Sequence, residues 1–125
     1  MSTVLVAEDD DDILALVKTC LEREGYDVVE ARDGALALER MREQPDLLVL
    51  DIGLPMVDGI EVLKEAQRDA RLRSIPVVIL TAKAQEADIR RGLEAGAQAY
   101  IPKPFSPTKL AQVVRGLLAQ PPGAA

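Results

Sequence analysis

The run Leu47-Leu48-Val49-Leu50, followed at once by Asp51, constrains this chain more than any other stretch. Four consecutive aliphatic residues show no wet-dry alternation, so they predict a strand buried on both faces, the pattern of a parallel sheet covered by helices. The run ends in a carboxylate and a loop containing Gly53 and Pro55, which places Asp51 at the carboxyl end of a central strand. In open α/β sheets ligands bind along that edge. An aspartate there also serves as an ordinary turn or cap residue, so its role depends on what converges on it.

The remaining sequence alternates strand and helix signals. Residues 4–7 are apolar and stop at Glu8 and the acids Asp9 to Asp12; residues 13–24 then run at helical period to Gly25. Residues 27–31 form a short mixed strand. Asp33-Gly34 reads as a turn, and Ala35, Leu38 and Met41 mark a helix that stops before Pro45. Asp58-Gly59 opens a helix whose inner face holds Val62, Leu63, Ala66 and Ala70. Residues 76–80 are an apolar strand ending at Thr81, and residues 85–94 a helix ended by Gly96. Residues 98–101 make a short strand leading into Pro102-Lys103-Pro104-Phe105. Ser106 offers an N-cap with Pro107 at the first helical position, followed by the stripe Leu110, Val113, Val114, Leu117, Leu118.

Continuously apolar strands belong in the centre of a sheet and mixed ones at its edges. With right-handed crossovers, edges at the second and fifth strands predict a five-stranded parallel sheet of order 2-1-3-4-5 with helices on both faces, a flavodoxin-like doubly wound α/β fold. One domain is expected over residues 1–119, and residues 120–125, Pro- and Ala-rich, read as a flexible tail or the start of a linker.

Composition closes off several chemistries. With no histidine there is no imidazole base, no Ser-His-Asp triad and no zinc site using His. The single cysteine excludes an internal disulfide; Cys20 falls with Ile13, Leu16 and Val17 on one helical face and reads as core. A net charge of −6 with no basic, aromatic-studded stripe argues against direct nucleic-acid binding. Neither a signal peptide nor an apolar stretch of transmembrane length is present, so a soluble, cytoplasmic protein without membrane contact is expected.

The order 2-1-3-4-5 sets the first strand beside the third, so Glu8, Asp9 and Asp51 converge. For Asp10 to Asp12 a solvated helix-capping role suffices. Glu8 and Asp9 directly follow a buried strand. Two unit charges ~4 Å apart at an effective dielectric of ~20 repel by about 4 kcal/mol, so such a cluster requires a cation or a proton. Oxygen-only ligands point to Mg²⁺, Mn²⁺ or Ca²⁺. Thr81 and Lys103 end the fourth and fifth strands on the same rim. Singly they read as a turn hydroxyl and a surface charge; with three acids they complete a set able to hold a phosphoryl group, with Asp51 as nucleophile, the metal and Lys103 neutralising oxygens, and Thr81 donating a hydrogen bond.

The segments Val4-Leu5-Val6-Ala7-Glu8-Asp9-Asp10, Leu48-Val49-Leu50-Asp51 with Pro55 and Asp58-Gly59, Ile79-Leu80-Thr81-Ala82 and Tyr100-Ile101-Pro102-Lys103-Pro104-Phe105, in this order and spacing, resemble the receiver domains of two-component response regulators over residues 3–119. The resemblance implies that Asp51 accepts phosphate from a sensor histidine kinase. It implies that Glu8, Asp9 and Asp51 hold Mg²⁺ with the Gly53 backbone carbonyl, and that Lys103 precedes a cis peptide bond to Pro104. It further implies that Thr81 and Tyr100 relay the change to the face of the fourth helix, fifth strand and fifth helix. From position alone Tyr100 is equally a half-buried edge aromatic. Such a protein is a switch that catalyses its own phosphotransfer and dephosphorylation rather than a turnover enzyme. Its output is a downstream protein or an attached effector domain.

Three departures from the family pattern bear on detail. Gly53 offers no side chain near the metal, and Lys83 instead stands where it could shape access to the phosphoryl group. Family members that dimerise through the fourth and fifth helices carry acids just before the tyrosine; here Gln98 and Ala99 stand there, although Arg90, Arg91 and Glu94 are present, so a phosphorylation-dependent dimer stays open. Two other functions compete. A metal-dependent phosphohydrolase of the haloacid-dehalogenase type would have a second Asp where Gly53 stands, and a flavodoxin-like cofactor carrier would need a Ser/Thr-rich phosphate loop and more stacking rings than two Tyr and one Phe.

Overall fold

The computed structural model describes residues 2–82 and 85–119. Lys83 and the 120–125 segment, both given expectations above, lie outside the described residues. Ten elements alternate strictly: β1 (Thr3–Ala7), α1 (Asp11–Arg23), β2 (Asp27–Ala31), α2 (Gly34–Met41), β3 (Leu47–Leu50), α3 (Gly59–Arg68), β4 (Val77–Thr81), α4 (Glu86–Glu94), β5 (Ala99–Pro102) and α5 (Pro107–Leu118). All strand pairs are parallel and the sheet order is β2-β1-β3-β4-β5, as the strand composition predicts.

Successive strand residues point to opposite faces, which divides the core in two. Val4, Val6, Leu47, Val49, Val78 and Leu80 pack with Leu14, Val17 and Leu21 of α1 and Leu110 and Val114 of α5. On the other face Leu5, Leu48, Leu50, Val77 and Ile79 pack with Ala37 and Met41 of α2 and Ile60, Val62, Leu63 and Ala66 of α3. The central strands β1, β3 and β4 are buried almost throughout, whereas β2 and β5 are buried only in part. Because every strand runs the same way, all five carboxyl ends meet on one rim.

Element boundaries account for most departures from expectation. Helix α1 begins at Asp11 because the Asp10 carboxylate accepts from the Asp12 and Ile13 amides, at 2.9 and 3.1 Å. Asp33 is the N-cap of α2 and accepts from the Leu36 amide at 2.7 Å, so the helix starts at Gly34. That phase buries Gly34, Ala37 and Met41, half-buries Leu38 and leaves Ala35 exposed. Ala70 is exposed too, because α3 ends at Arg68. Gln85 is the N-cap residue of α4 rather than its first turn. Gln98 precedes β5, where its amide donates to the Val77 carbonyl at 2.9 Å and its Oε1 accepts from the Val77 amide at 2.6 Å. Cys20 is half-buried against the α1–α5 core layer with its Sγ 3.3 Å from the Pro107 carbonyl; Leu16, expected on the same face, is 46 % exposed.

Candidate functional site

Strand register builds the site. Ala7 lies opposite Leu50, and the Asp51 amide donates to the Ala7 carbonyl at 3.0 Å, so Glu8 and Asp51 leave adjacent strands side by side. Thr81 lies opposite Pro102, and the Lys103 amide donates to the Thr81 carbonyl at 2.9 Å, which brings Lys103 to the same rim. The Lys103–Pro104 bond is cis, as the family resemblance implies.

The Lys103 ammonium bridges the two buried acids, with Nζ 2.5 Å from Glu8 Oε1 and 3.3 Å from Asp51 Oδ2. Each carboxylate has its second oxygen held by a backbone amide: Asp10 donates to Glu8 Oε2 at 3.2 Å, and Gly53 donates to Asp51 Oδ1 at 3.1 Å. Glu8 is 3 % exposed and Asp51 8 %, while Asp9 faces solvent. One carboxylate oxygen from each of Glu8, Asp9 and Asp51 lies within 4.8 Å of the others. One lysine against three acids leaves the cluster net negative. A hard divalent cation fits this all-oxygen donor set, in which Asp9 is the solvent-facing carboxylate.

Electrostatics follow burial. Loss of solvent, more than any other influence, holds the Glu8 carboxyl above its ordinary range, and the Asp51 charge adds to this against the opposing pull of Lys103 and the Asp10 amide. For Lys103 burial is again the largest single influence and acts downward. The hydrogen bond to Glu8 and the charges of Asp51 and Glu8 together outweigh it, so the ammonium is held above the usual lysine range.

Four of the expected residues, Glu8, Asp51, Gly53 and Lys103, thus share one contact network, and Asp9 brings a carboxylate oxygen within 4.8 Å of the two buried acids. Thr81 ends β4 beside them and is 2 % exposed. Asp10 belongs to the α1 cap, not to the cluster. Tyr100 packs on the core layer of α2 and α3 beneath α4; its hydroxyl is buried and has no hydrogen-bond partner among the described residues. Gly92 of α4 faces the same layer, where an added Cβ would crowd Ile79 Cδ1 at 2.4 Å and meet the tyrosine ring at an ordinary contact distance of 3.5 Å. Residue-type reasoning misses two glycines at this rim. A Cβ on Gly59 would lie 2.5 Å from the Asp51 carbonyl oxygen, and one on Gly34 would lie 1.6 Å from the Val57 carbonyl oxygen. Both follow a capping aspartate, and that repeated Asp-Gly pair is the available sequence signal.

Among the described residues no helix is long and apolar enough to cross a membrane. The alkaline phosphatase synthesis transcriptional regulatory protein PhoP of Bacillus subtilis is 45 % identical over 92 % of this chain and 48 % of its own length. The chain spans about half the length of the curated relatives it matches. A putative response regulator from Chloroflexus aurantiacus superposes with a TM-score of 0.90 at 33 % identity, covering 95 % of this chain and 98 % of that one. The receiver domain of sensor histidine kinase PA1611 from Pseudomonas aeruginosa, solved with a magnesium ion coordinated in its active site cleft, superposes with a TM-score of 0.88 at 28 % identity over 95 % and 98 % of the two chains. The sequence model of the response regulator receiver domain matches residues 4–115, and the chain belongs to that family of two-component signalling domains.

Proposed function

We propose that Asp51 is the phosphoacceptor of this receiver and that Glu8, Asp9 and Asp51, with the Gly53 carbonyl, hold Mg²⁺. The observation that carries this reading is the Lys103 ammonium bridging Glu8 and Asp51 inside a three-carboxylate cluster at the sheet's carboxyl rim. An Asp51 oxygen attacks the phosphorus of a phosphohistidine on a sensor kinase; the P–N bond breaks as the P–O bond forms, its electron pair returns to the ring, and the imidazole leaves neutral because its other nitrogen already carries a proton. Bound Mg²⁺ would supply charge neutralisation for the phosphoryl oxygens, and Mn²⁺ or Ca²⁺ could take its place. Lys103 is already oriented on the acceptor carboxylate and adds a second positive charge.

Thr81 donates a hydrogen bond to the phosphoryl group, and Tyr100 couples that movement to the face of α4, β5 and α5. Hydrolysis of the acyl phosphate resets the switch, so the chain acts as a phosphoacceptor in the cytoplasm rather than as a turnover enzyme. The receiver unit spans residues 1–119 in this reading. Relatives of twice the length support an effector unit joined to it, or a separate protein partner, as the output. Acetyl phosphate with Mg²⁺ should add one phosphoryl group by intact mass. No adduct, or one that survives Asp51→Asn, would remove Asp51 from this role.

A further inference from the structure

The loop from Asp51 to Asp58, which joins β3 to α3, contains a backbone outlier. The Val57 amide donates to the Pro55 carbonyl at 2.9 Å, closing a three-residue turn across Met56, whose φ is +71°. Side-chain-bearing residues adopt that region rarely, and tight turns of this hand are strained. Met56 is 83 % exposed, so packing of its own side chain does not hold it there. The surrounding structure has to impose the conformation.

The amino end of α2 provides the constraint. The Gly34 amide donates to the same Pro55 carbonyl at 3.1 Å, and Val57 occupies the space where a Gly34 side chain would stand: its carbonyl oxygen is 1.6 Å and its Cβ 2.8 Å from that point. At the loop's other end the Gly59 amide donates to the Ile52 carbonyl at 2.8 Å. Between these two anchors Gly53 donates to Asp51 Oδ1, which leaves Oδ2 facing Lys103.

We propose that Gly34 is a positioning residue for the Asp51 site. By seating α2 against Pro55 and Val57 it holds the strained turn, and through it the Gly53 contact that orients the acceptor carboxylate. This rests on the phosphoacceptor reading above. It extends the machinery to a helix on the far side of the loop that contributes no side chain to the acid cluster.

The test is calorimetric Mg²⁺ binding to the wild-type chain, to Gly34→Ala and to Ala37→Gly, with helical content and melting temperature recorded for each. Ala37 is buried in the same helix one turn beyond Gly34, and its replacement loosens α2 without adding an atom against Val57. Gly34→Ala should weaken Mg²⁺ binding by about tenfold, the scale seen when groups supporting metal ligands are lost. Ala37→Gly should lower the melting temperature and leave Mg²⁺ affinity unchanged. Equal affinity in Gly34→Ala and wild type, or equal weakening in both variants, overturns the assignment. A measurement on the wild-type chain covers the case in which Gly34→Ala does not fold: on Mg²⁺ addition the Gly34 and Val57 amide resonances should shift together with that of Gly53. A Gly34 resonance that stays fixed while Gly53 shifts overturns the positioning role. If Gly53 does not shift either, the metal-site reading fails with it.

Discussion

Lys103→Met keeps an unbranched apolar stem and removes the charge bridging Glu8 and Asp51. At 2.5 and 3.3 Å, and an effective dielectric of ~20, each contact is worth roughly 5–7 kcal/mol before desolvation is counted. Much of that is offset by the cost of drying the ions, and breaking a buried pair typically costs about 3–5 kcal/mol because the partners stay charged and dry. Protonation sets a ceiling. Glu8 is already held above the ordinary carboxylate range, by burial first, and without the ammonium it rises further, each pKa unit corresponding to about 1.4 kcal/mol. An acid whose native pKa exceeds its unfolded value binds more protons when folded. The stability it contributes is present at low pH and lost as pH rises through the native value.

Lys103 is held above its own usual range, so in the wild type its charge persists across neutral pH. Urea titrations in chelator should therefore show the full deficit of Lys103→Met near about pH 8 and a smaller one near about pH 5. Millimolar Mg²⁺ should restore more stability to the variant than to the wild type, since a bound cation replaces the missing charge. Equal deficits at both pH values, or a variant indifferent to Mg²⁺, would refute the electrostatic account.

Three further outcomes are expected. Mg²⁺ should raise the wild-type melting temperature and leave that of Asp9→Ala unchanged; a wild-type melting point insensitive to millimolar Mg²⁺ speaks against the metal site. Asp10→Ala should cost about 1 kcal/mol through loss of the α1 cap, with Mg²⁺ affinity by calorimetry unaltered; weakened binding would make Asp10 a ligand. Tyr100→Phe removes a buried hydroxyl without a partner among the described residues and should stabilise the fold by about 1 kcal/mol in urea. Burial first, then the charges of Asp88 and Asp51, holds this phenol above its usual range. Its contribution is therefore present below pH ~10 and lost as pH rises through the native value, and the phenylalanine variant should lose less stability on alkaline titration. Destabilisation by Tyr100→Phe would mean that the hydroxyl finds a partner in solution.

The fold was legible because its signals are local and redundant. Residues 4–7, 47–50 and 77–80 are apolar without interruption, and parallel strands automatically bring the residues that follow them, Glu8, Asp51 and Thr81, to one rim, where Lys103 arrives from the end of β5. Helix phase was less legible. Ala35 and Ala37 are equivalent in type, and only the Asp33 cap, which fixes where α2 begins, decides that Ala37 turns inward. Contacts between segments far apart in sequence left no periodic trace. The seating of Gly34 on Val57, and the turn of the Gln98 side chain onto the Val77 amide, depend on loop paths that composition does not encode.

Position-resolved trapping of the acyl phosphate tests the central claim most directly. After incubation with acetyl phosphate and Mg²⁺, borohydride reduction converts an aspartyl phosphate to homoserine, which peptide mass mapping locates. Homoserine at position 51 alone, and only with Mg²⁺ present, is the predicted result. Reduction at Glu8 or Asp9, or no reduced residue at all, would contradict it.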